Sequence, residues 1–220
     1  MRGTLIASIS ALCAVGLVNW GSAEAASPKK LKGEYAFTGT ASCLFAPGSD
    51  PGPGNPTPGK ALPNAGFNAN QQPLVNATAF VTSFSVEGVT VFNGDGTGTF
   101  KGTSVSITER PTPGPTGYPS FPASASSNTF EASFSYVINA DDTFDTQLVG
   151  LLTGTFLSGP RTGQTTSVDR PPMTGLISKD GNTLTTASVV PAVETVTFSN
   201  GDVWPRICHR SRVLIKIDKD

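Results

Sequence analysis

The chain has 220 residues and is close to neutral, with 15 Lys and Arg against 16 Asp and Glu for a formal charge of −1. That balance leaves no electrostatic footprint for nucleic acid and no polybasic stretch for anionic lipid. With 24 Gly, 18 Pro and 13 Phe, and Thr and Ser abundant, the composition favours strands and turns over helices.

The first 25 residues read as a secretory signal peptide. Met1-Arg2 supplies a positive start, Leu5 to Val18 an apolar run, and Ala23-Glu24-Ala25 a small-x-small cleavage site. The run is too short to be retained as a membrane helix. Residues 26–220 are then one exported domain, periplasmic or extracellular. Cys43 and Cys208 are the two cysteines left after processing. An oxidising compartment makes a disulfide between them the default expectation. The loop it closes, about 165 residues long, is worth about 4–5 kcal/mol in the chain-entropy model. Two thiols and the lone His209 cannot assemble a zinc site, so no metal and no cofactor is expected.

Along the chain, alternation replaces helical periodicity. Leu31–Phe45 places Tyr35, Phe37, Gly39, Ala41 and Cys43 on one face and Lys32, Glu34, Thr38, Thr40 and Ser42 on the other. Phe80–Phe92 aligns Phe80, Phe84, Val86 and Phe92. Phe130–Ile138 alternates Phe130, Ala132, Phe134, Tyr136 and Ile138 with small or charged residues. Phe144–Phe156 repeats the pattern, interrupted by Gly150 and Gly154, where a bulge or bend is expected. Four turns, at Asn93–Gly96, Asn139–Asp142, Asp180–Asn182 and Asn200–Asp202, supply the residues that short hairpins demand. Long Pro- and Gly-rich loops are expected over 46–73, 110–128 and 158–172.

Hairpins in series describe an antiparallel up-and-down meander. With no amphipathic helix to cover a sheet, about eight strands closing into a barrel remove both edges. A β-sandwich is the alternative. The outward faces carry Thr, Ser, Glu and Lys, so the domain is not expected to insert in a membrane.

Few constellations carry chemistry. Gly54–Lys60 has the spacing of a phosphate-binding loop, but two prolines delete the backbone donors and Ala61 replaces the magnesium-holding hydroxyl. No Gly-x-Ser-x-Gly elbow is present, and Asp141, Asp142 and Asp145 read as turn chemistry. The last strand is the unusual segment. Alternation puts Ile207, His209, Ser211, Val213, Ile215 and Ile217 on one face and Arg206, Cys208, Arg210, Arg212 and Lys216 on the other. The apolar face pointing inward is one reading. A disulfide to Cys43, which shares a face with Tyr35 and Phe37, favours the arginine face instead, or a bulge; the pattern leaves both open. A row of arginines is costly unless an anion answers it, either a protein carboxylate such as Glu34 or a ligand.

The signal peptide, the motifs GEYAFTGTASC at 33–43, FNGDGTGT at 92–99 and SKDGNTLT at 178–185, and the terminal PRICHRSRVLI at 205–215 together resemble a family of uncharacterised exported bacterial proteins. The resemblance implies an envelope or extracellular address and no activity. The meander more loosely resembles lipocalin-type and allene-oxide-cyclase-type barrels, although Gly33-Glu34-Tyr35 offers Tyr where lipocalins have Trp. The expected function is non-enzymatic binding of a small apolar, amphiphilic or anionic ligand in the lumen. The candidate ligand-binding residues are Arg206, His209, Arg210, Arg212, Tyr136, Phe37 and Phe134, with Phe84, Phe144 and Phe156 as further lining. The alternatives are a filled barrel serving as an envelope or surface-interaction module, and a barrel isomerase or cyclase assisted by His209 or Tyr136.

Overall fold

The computed structural model describes residues 30–47, 66–74, 77, 79–109 and 123–217. The expected signal peptide and the loop segments 48–65 and 110–122 lie outside the described residues. Among the described residues there are ten strands: β1 (Lys32–Phe45), β2 (Phe80–Asn93), β3 (Thr97–Glu109), β4 (Ser124–Ile138), β5 (Thr143–Ser158), β6 (Thr165–Asp169), β7 (Met173–Ile177), β8 (Thr183–Ala187), β9 (Val193–Phe198) and β10 (Val203–Lys216). Every pairing is antiparallel. No helix among the described residues is long and apolar enough to cross a membrane.

The sheet is a closed ring. Strands β1 to β5 follow one another as a meander, and β10 returns to pair with β1. Between β5 and β10 the wall is split. At one end of the barrel β5 pairs with β6, β6 with β9 and β9 with β10; at the other, β5 pairs with β7, β7 with β8 and β8 with β10. Strands β6 and β7 thus share one position in the ring, as do β8 and β9, giving eight positions. The chain steps between each pair at Arg170-Pro171-Pro172 and at residues 188–192, which contain Pro191. Proline removes the ladder donor at these points.

All four turns foreseen from their Asn, Asp and Gly content fall between paired strands. Asp95, Asp141 and Asp180 accept backbone bonds from Thr97, Thr143 and Asn182, two residues on. Asp141 and Asp142 are therefore turn residues. At Gly150, where φ is +81°, β5 bulges. The register jumps between Glu131↔Thr153 and Ser133↔Val149, a two-residue slip that keeps the inward face inward.

Two loop boundaries differ from expectation. Residues 124–128 extend β4 and pair with β3 from Ser104 to Thr108, because the proline run ends at Pro122 and a Ser- and Ala-rich segment can join the ladder. Residues 165–169 form β6 because Thr165–Asp169 is β-prone between Pro160 and Pro171.

Inside the barrel two clusters divide the lumen. One end is filled by Leu31, Tyr35, Phe37, Phe92, Phe100, Phe130, Phe134, Tyr136, Phe144 and their neighbours. Phe92 meets Tyr35, Phe134, Tyr136 and Phe144 edge-on, with centroids 5.1–6.2 Å apart, the geometry that ring quadrupoles favour. The other end carries Cys43, Phe45, Phe80, Val168, Val196, Phe198, Trp204 and Cys208 around open space.

Candidate functional site

Closing β10 against β1 decides which face of the last strand points inward. Cys43 and Cys208 are direct cross-strand partners and form the disulfide, with Cα atoms 4.1 Å apart. With Cys43 inward alongside Tyr35 and Phe37, the phase of β10 follows. Cys208, Arg210 and Leu214 are buried, whereas His209, Ser211, Val213 and Ile215 are exposed. The arginine face is the inner one, so the reading with the apolar face inward is corrected. His209 stands on the outer wall, away from the arginines with which it was grouped.

The open half of the lumen is a cavity of about 470 Å3. Phe45, Phe80, Phe84, Phe156, Phe198 and Trp204 supply an aromatic wall. Phe45 stacks on Phe80 at 5.0 Å, and Trp204 meets both edge-on. The wall built by β2, β3 and β4 is hydroxylic, and its polar groups largely satisfy one another. Thr82 and Thr108 lie 3.1 Å apart, Ser104 donates to Asn128 Oδ1 at 2.6 Å, and Ser106 donates to the Ser126 carbonyl at 3.4 Å. At the rim, Arg161 lies 4.0 Å from the Phe198 centroid and 4.3 Å from that of Trp204. Its Nη2 is 2.9 Å from Asp202 Oδ2.

The floor is basic. Arg206, Arg210 and Arg212 line the cavity. The carboxylate that answers Arg206 and Arg210 is Glu194 of β9, not Glu34, which is exposed at the far end of β1. The Glu194 side chain has no exposed surface, and its Oε1 accepts from both Arg206 Nε and Arg210 Nη2. Burial alone raises the Glu194 carboxyl, but Arg206 and Arg210 outweigh it and hold it below its usual value. Its Oε2 is buried without a hydrogen-bond partner among the described residues. Glu194 lies close to Cys43 and Cys208; with both sulfurs in a disulfide, this trio offers no metal ligand set.

Among the described residues Arg212 and Arg170 have no carboxylate in ion-pair contact. Arg212 packs over Phe37, Phe100 and Phe130, its Cζ 5.0, 5.3 and 5.9 Å from their centroids. Arg170, from the break between β6 and β7, is 7% exposed. Its Cζ lies 5.3 Å from the centroid of the same Phe100 ring, so two guanidiniums contact one aromatic side chain. The Nε and Nη1 of Arg170 are buried without hydrogen-bond partners among the described residues. Both side chains border a chamber of about 40 Å3 below the main cavity, and Arg212 borders both spaces. Burial, reinforced by Arg212 and Arg210, lowers the Arg170 pKa to about 9; burial and Arg210 lower that of Arg212 to about 10. The direction reflects what it costs to hold these charges away from water.

Of the residues singled out from sequence, the structure brings Arg206, Arg210 and Arg212 together at the cavity floor. Phe37, Phe134, Tyr136 and Phe144 lie in the packed half; Phe84 and Phe156 line the cavity. The Tyr136 hydroxyl donates to the Leu31 carbonyl at 2.7 Å, closing the bottom of the barrel. Glu194 and Arg170 were missed. Glu194 had a signal: in Val193–Phe198 it is in phase with Val196 and Phe198, both buried. Arg170 falls at a strand break, where no alternation reaches it.

Fold and site define the chain as an antiparallel β-barrel, filled at one end and open to an aromatic cavity over a basic floor at the other. No protein-family model matches the chain, and no curated protein matches it. Among solved structures it is similar to the Salmonella SPI-1 type III secretion injectisome secretin InvG, at 10% identity and a TM-score of 0.23, over 85% of this chain. It spans about 60% of that chain's length.

Proposed function

We propose that this protein is an exported barrel that binds one small amphiphilic molecule in the open half of its lumen, without chemistry of its own. The observation that carries the reading is the cavity of about 470 Å3, lined among the described residues by seven aromatic side chains, Phe130 included, within the usual size range of small-molecule sites, about 300–1,000 Å3. A filled barrel has no use for such a space, because apolar voids forfeit packing. The Cys43–Cys208 disulfide supports an oxidising, extracytoplasmic address, in line with the signal-like first 25 residues.

The test is titration of the purified protein with the uncharged fluorophore N-phenyl-1-naphthylamine, with Ser126→Trp as the filled-cavity variant. Saturable binding of one fluorophore per chain, lost in that variant, is the expected result. Absence of saturable binding, or equal binding by the filled variant, overturns the reading.

A further inference from the structure

Four guanidiniums, of Arg170, Arg206, Arg210 and Arg212, turn into the barrel. Among the described residues the buried acids are Glu194 and Asp202, and Asp202 is engaged by Arg161 at the rim. Glu194 is already saturated on Oε1 by Arg206 and Arg210. Arg212 and Arg170 therefore keep their charge beside an uncharged ring. Cation–π contacts offset only part of the cost of taking a guanidinium out of water. Salt from solvent screens charges at this depth poorly. The hydroxyls of the β2–β4 wall are engaged elsewhere: Thr82 with Thr108, Ser104 with Asn128 Oδ1 and Ser106 with the Ser126 carbonyl. Among the described residues the floor carries one carboxylate, that of Glu194, for four guanidiniums, and what borders it is the cavity.

We infer that the molecule bound in the lumen carries an oxyanion head, a carboxylate or phosphate, seated on Arg210 and Arg212 with Arg170 behind them, and an apolar body lying along Phe84, Phe156 and Phe198. The inference rests on the lumen-binding reading above and specifies its ligand class. A planar guanidinium fork matches an oxyanion geometrically and supplies charge-assisted hydrogen bonds. Arg212 is the contact residue because it borders both the cavity and the inner chamber. Arg170 is a positioning residue, adding field from below. The polarity of the site follows: the head goes to the floor, and the body points to the rim, where Arg161 is stacked on Phe198 and Trp204.

The experiment compares dodecanoate, dodecyl phosphate, dodecanol, dodecylamine and inorganic phosphate as competitors of N-phenyl-1-naphthylamine, on the full chain and on Arg212→Gln and Arg170→Gln. Dodecanoate and dodecyl phosphate are expected to bind about ten- to hundredfold more tightly than dodecanol, and dodecylamine more weakly still. Arg212→Gln should lower the anion preference, through loss of dodecanoate and dodecyl phosphate affinity larger than any change for dodecanol. It should also raise the melting temperature of the ligand-free protein, since it removes a partly buried charge with no carboxylate partner among the described residues; an arginine with only a packing role would lower it. Arg170→Gln should move both readouts the same way by a smaller factor. Equal binding of dodecanol and dodecanoate to the unmodified protein overturns the inference and leaves the lumen reading standing. Stabilisation by inorganic phosphate as large as that by dodecanoate overturns it in favour of a free anion. If neither the fluorophore nor any dodecyl compound binds, both readings fall.

Discussion

Gly39 and Arg212 face each other across the seam between β1 and β10, and the space left by the missing side chain of the glycine is filled by the stem of the arginine. A Cβ on Gly39 would lie 2.7 Å from Arg212 Cγ and 2.3 Å from the Ser211 carbonyl oxygen. The packed half of the barrel is built the same way. Gly88, Gly98, Gly102 and Gly175 are the direct cross-strand partners of Phe37, Phe134, Phe130 and Phe144, and a Cβ on each would come within 2.3–2.9 Å of its partner's ring. Arg212 is thus packed as the aromatic residues are, with its stem laid over a glycine and its head among rings.

Gly39→Ala tests this packing. Strand propensity alone favours alanine over glycine by about 0.5–1 kcal/mol. Overpacking against a backbone carbonyl costs about 1–3 kcal/mol, so the net effect is destabilising. A lower urea midpoint with an unchanged slope is the expected result; a raised midpoint would show that the seam has slack.

Glu194→Gln leaves Arg206 and Arg210 without their carboxylate and is expected to cost about 3–5 kcal/mol. Its pH dependence is diagnostic. The Glu194 pKa lies below its usual 4.5 in the folded protein, so its contribution is fully present above that pH and is lost as pH falls through the lowered folded value. Urea denaturation from neutral pH downward should show the gap between the natural protein and the variant closing only in acid. A gap independent of pH would mean that Glu194 acts by shape alone.

Reducing the disulfide frees a loop with a sequence separation of 165. The chain-entropy model assigns this about 4–5 kcal/mol, a fall of about 8–20 °C in melting temperature for a domain of this size. Scanning calorimetry of the Cys43→Ala/Cys208→Ala double variant provides the check. Coincident transitions would show that the seam closes equally well without the bond.

Tyr136→Phe and His209→Ala separate structure from site. The Tyr136 hydroxyl closes the filled end on Leu31, so its loss should cost about 1–3 kcal/mol by leaving a buried carbonyl unpaired, with fluorophore affinity unchanged. His209 is exposed, and its replacement should move stability by less than about 0.5 kcal/mol and leave affinity unchanged. Weakened binding by either variant at intact stability would return that residue to the site.

The architecture was legible because alternation survives in every long strand. Phe130–Ile138 shows its inner face in the letters alone, and the turns at Asn93–Gly96 and Asn200–Asp202 punctuate the meander. The orientation of β10 was not legible from its own letters, since both of its faces make chemical sense. It is set by a partner more than 160 positions away, through Cys43. The division of the lumen was equally hidden. Phe134 and Phe156 look alike in sequence, yet Phe134 lies over Gly98 in the packed half and Phe156 faces the cavity. Depth along a barrel axis depends on strand register, which no single strand records.

The split wall has a consequence for how the barrel exchanges with solvent. Strands β1 to β4 are held by ladders of eleven or more residue pairs. The wall beside the cavity rests on runs of four pairs between β5 and β6, four between β6 and β9, and five between β9 and β10. Short ladders open at lower free energy than long ones. Amide deuteration should therefore advance first through Val168 and Val196 while Phe84 and Ser106 stay protected. An occupant of the lumen should slow exchange on that one side, registering as a lopsided isotope pattern around the circumference.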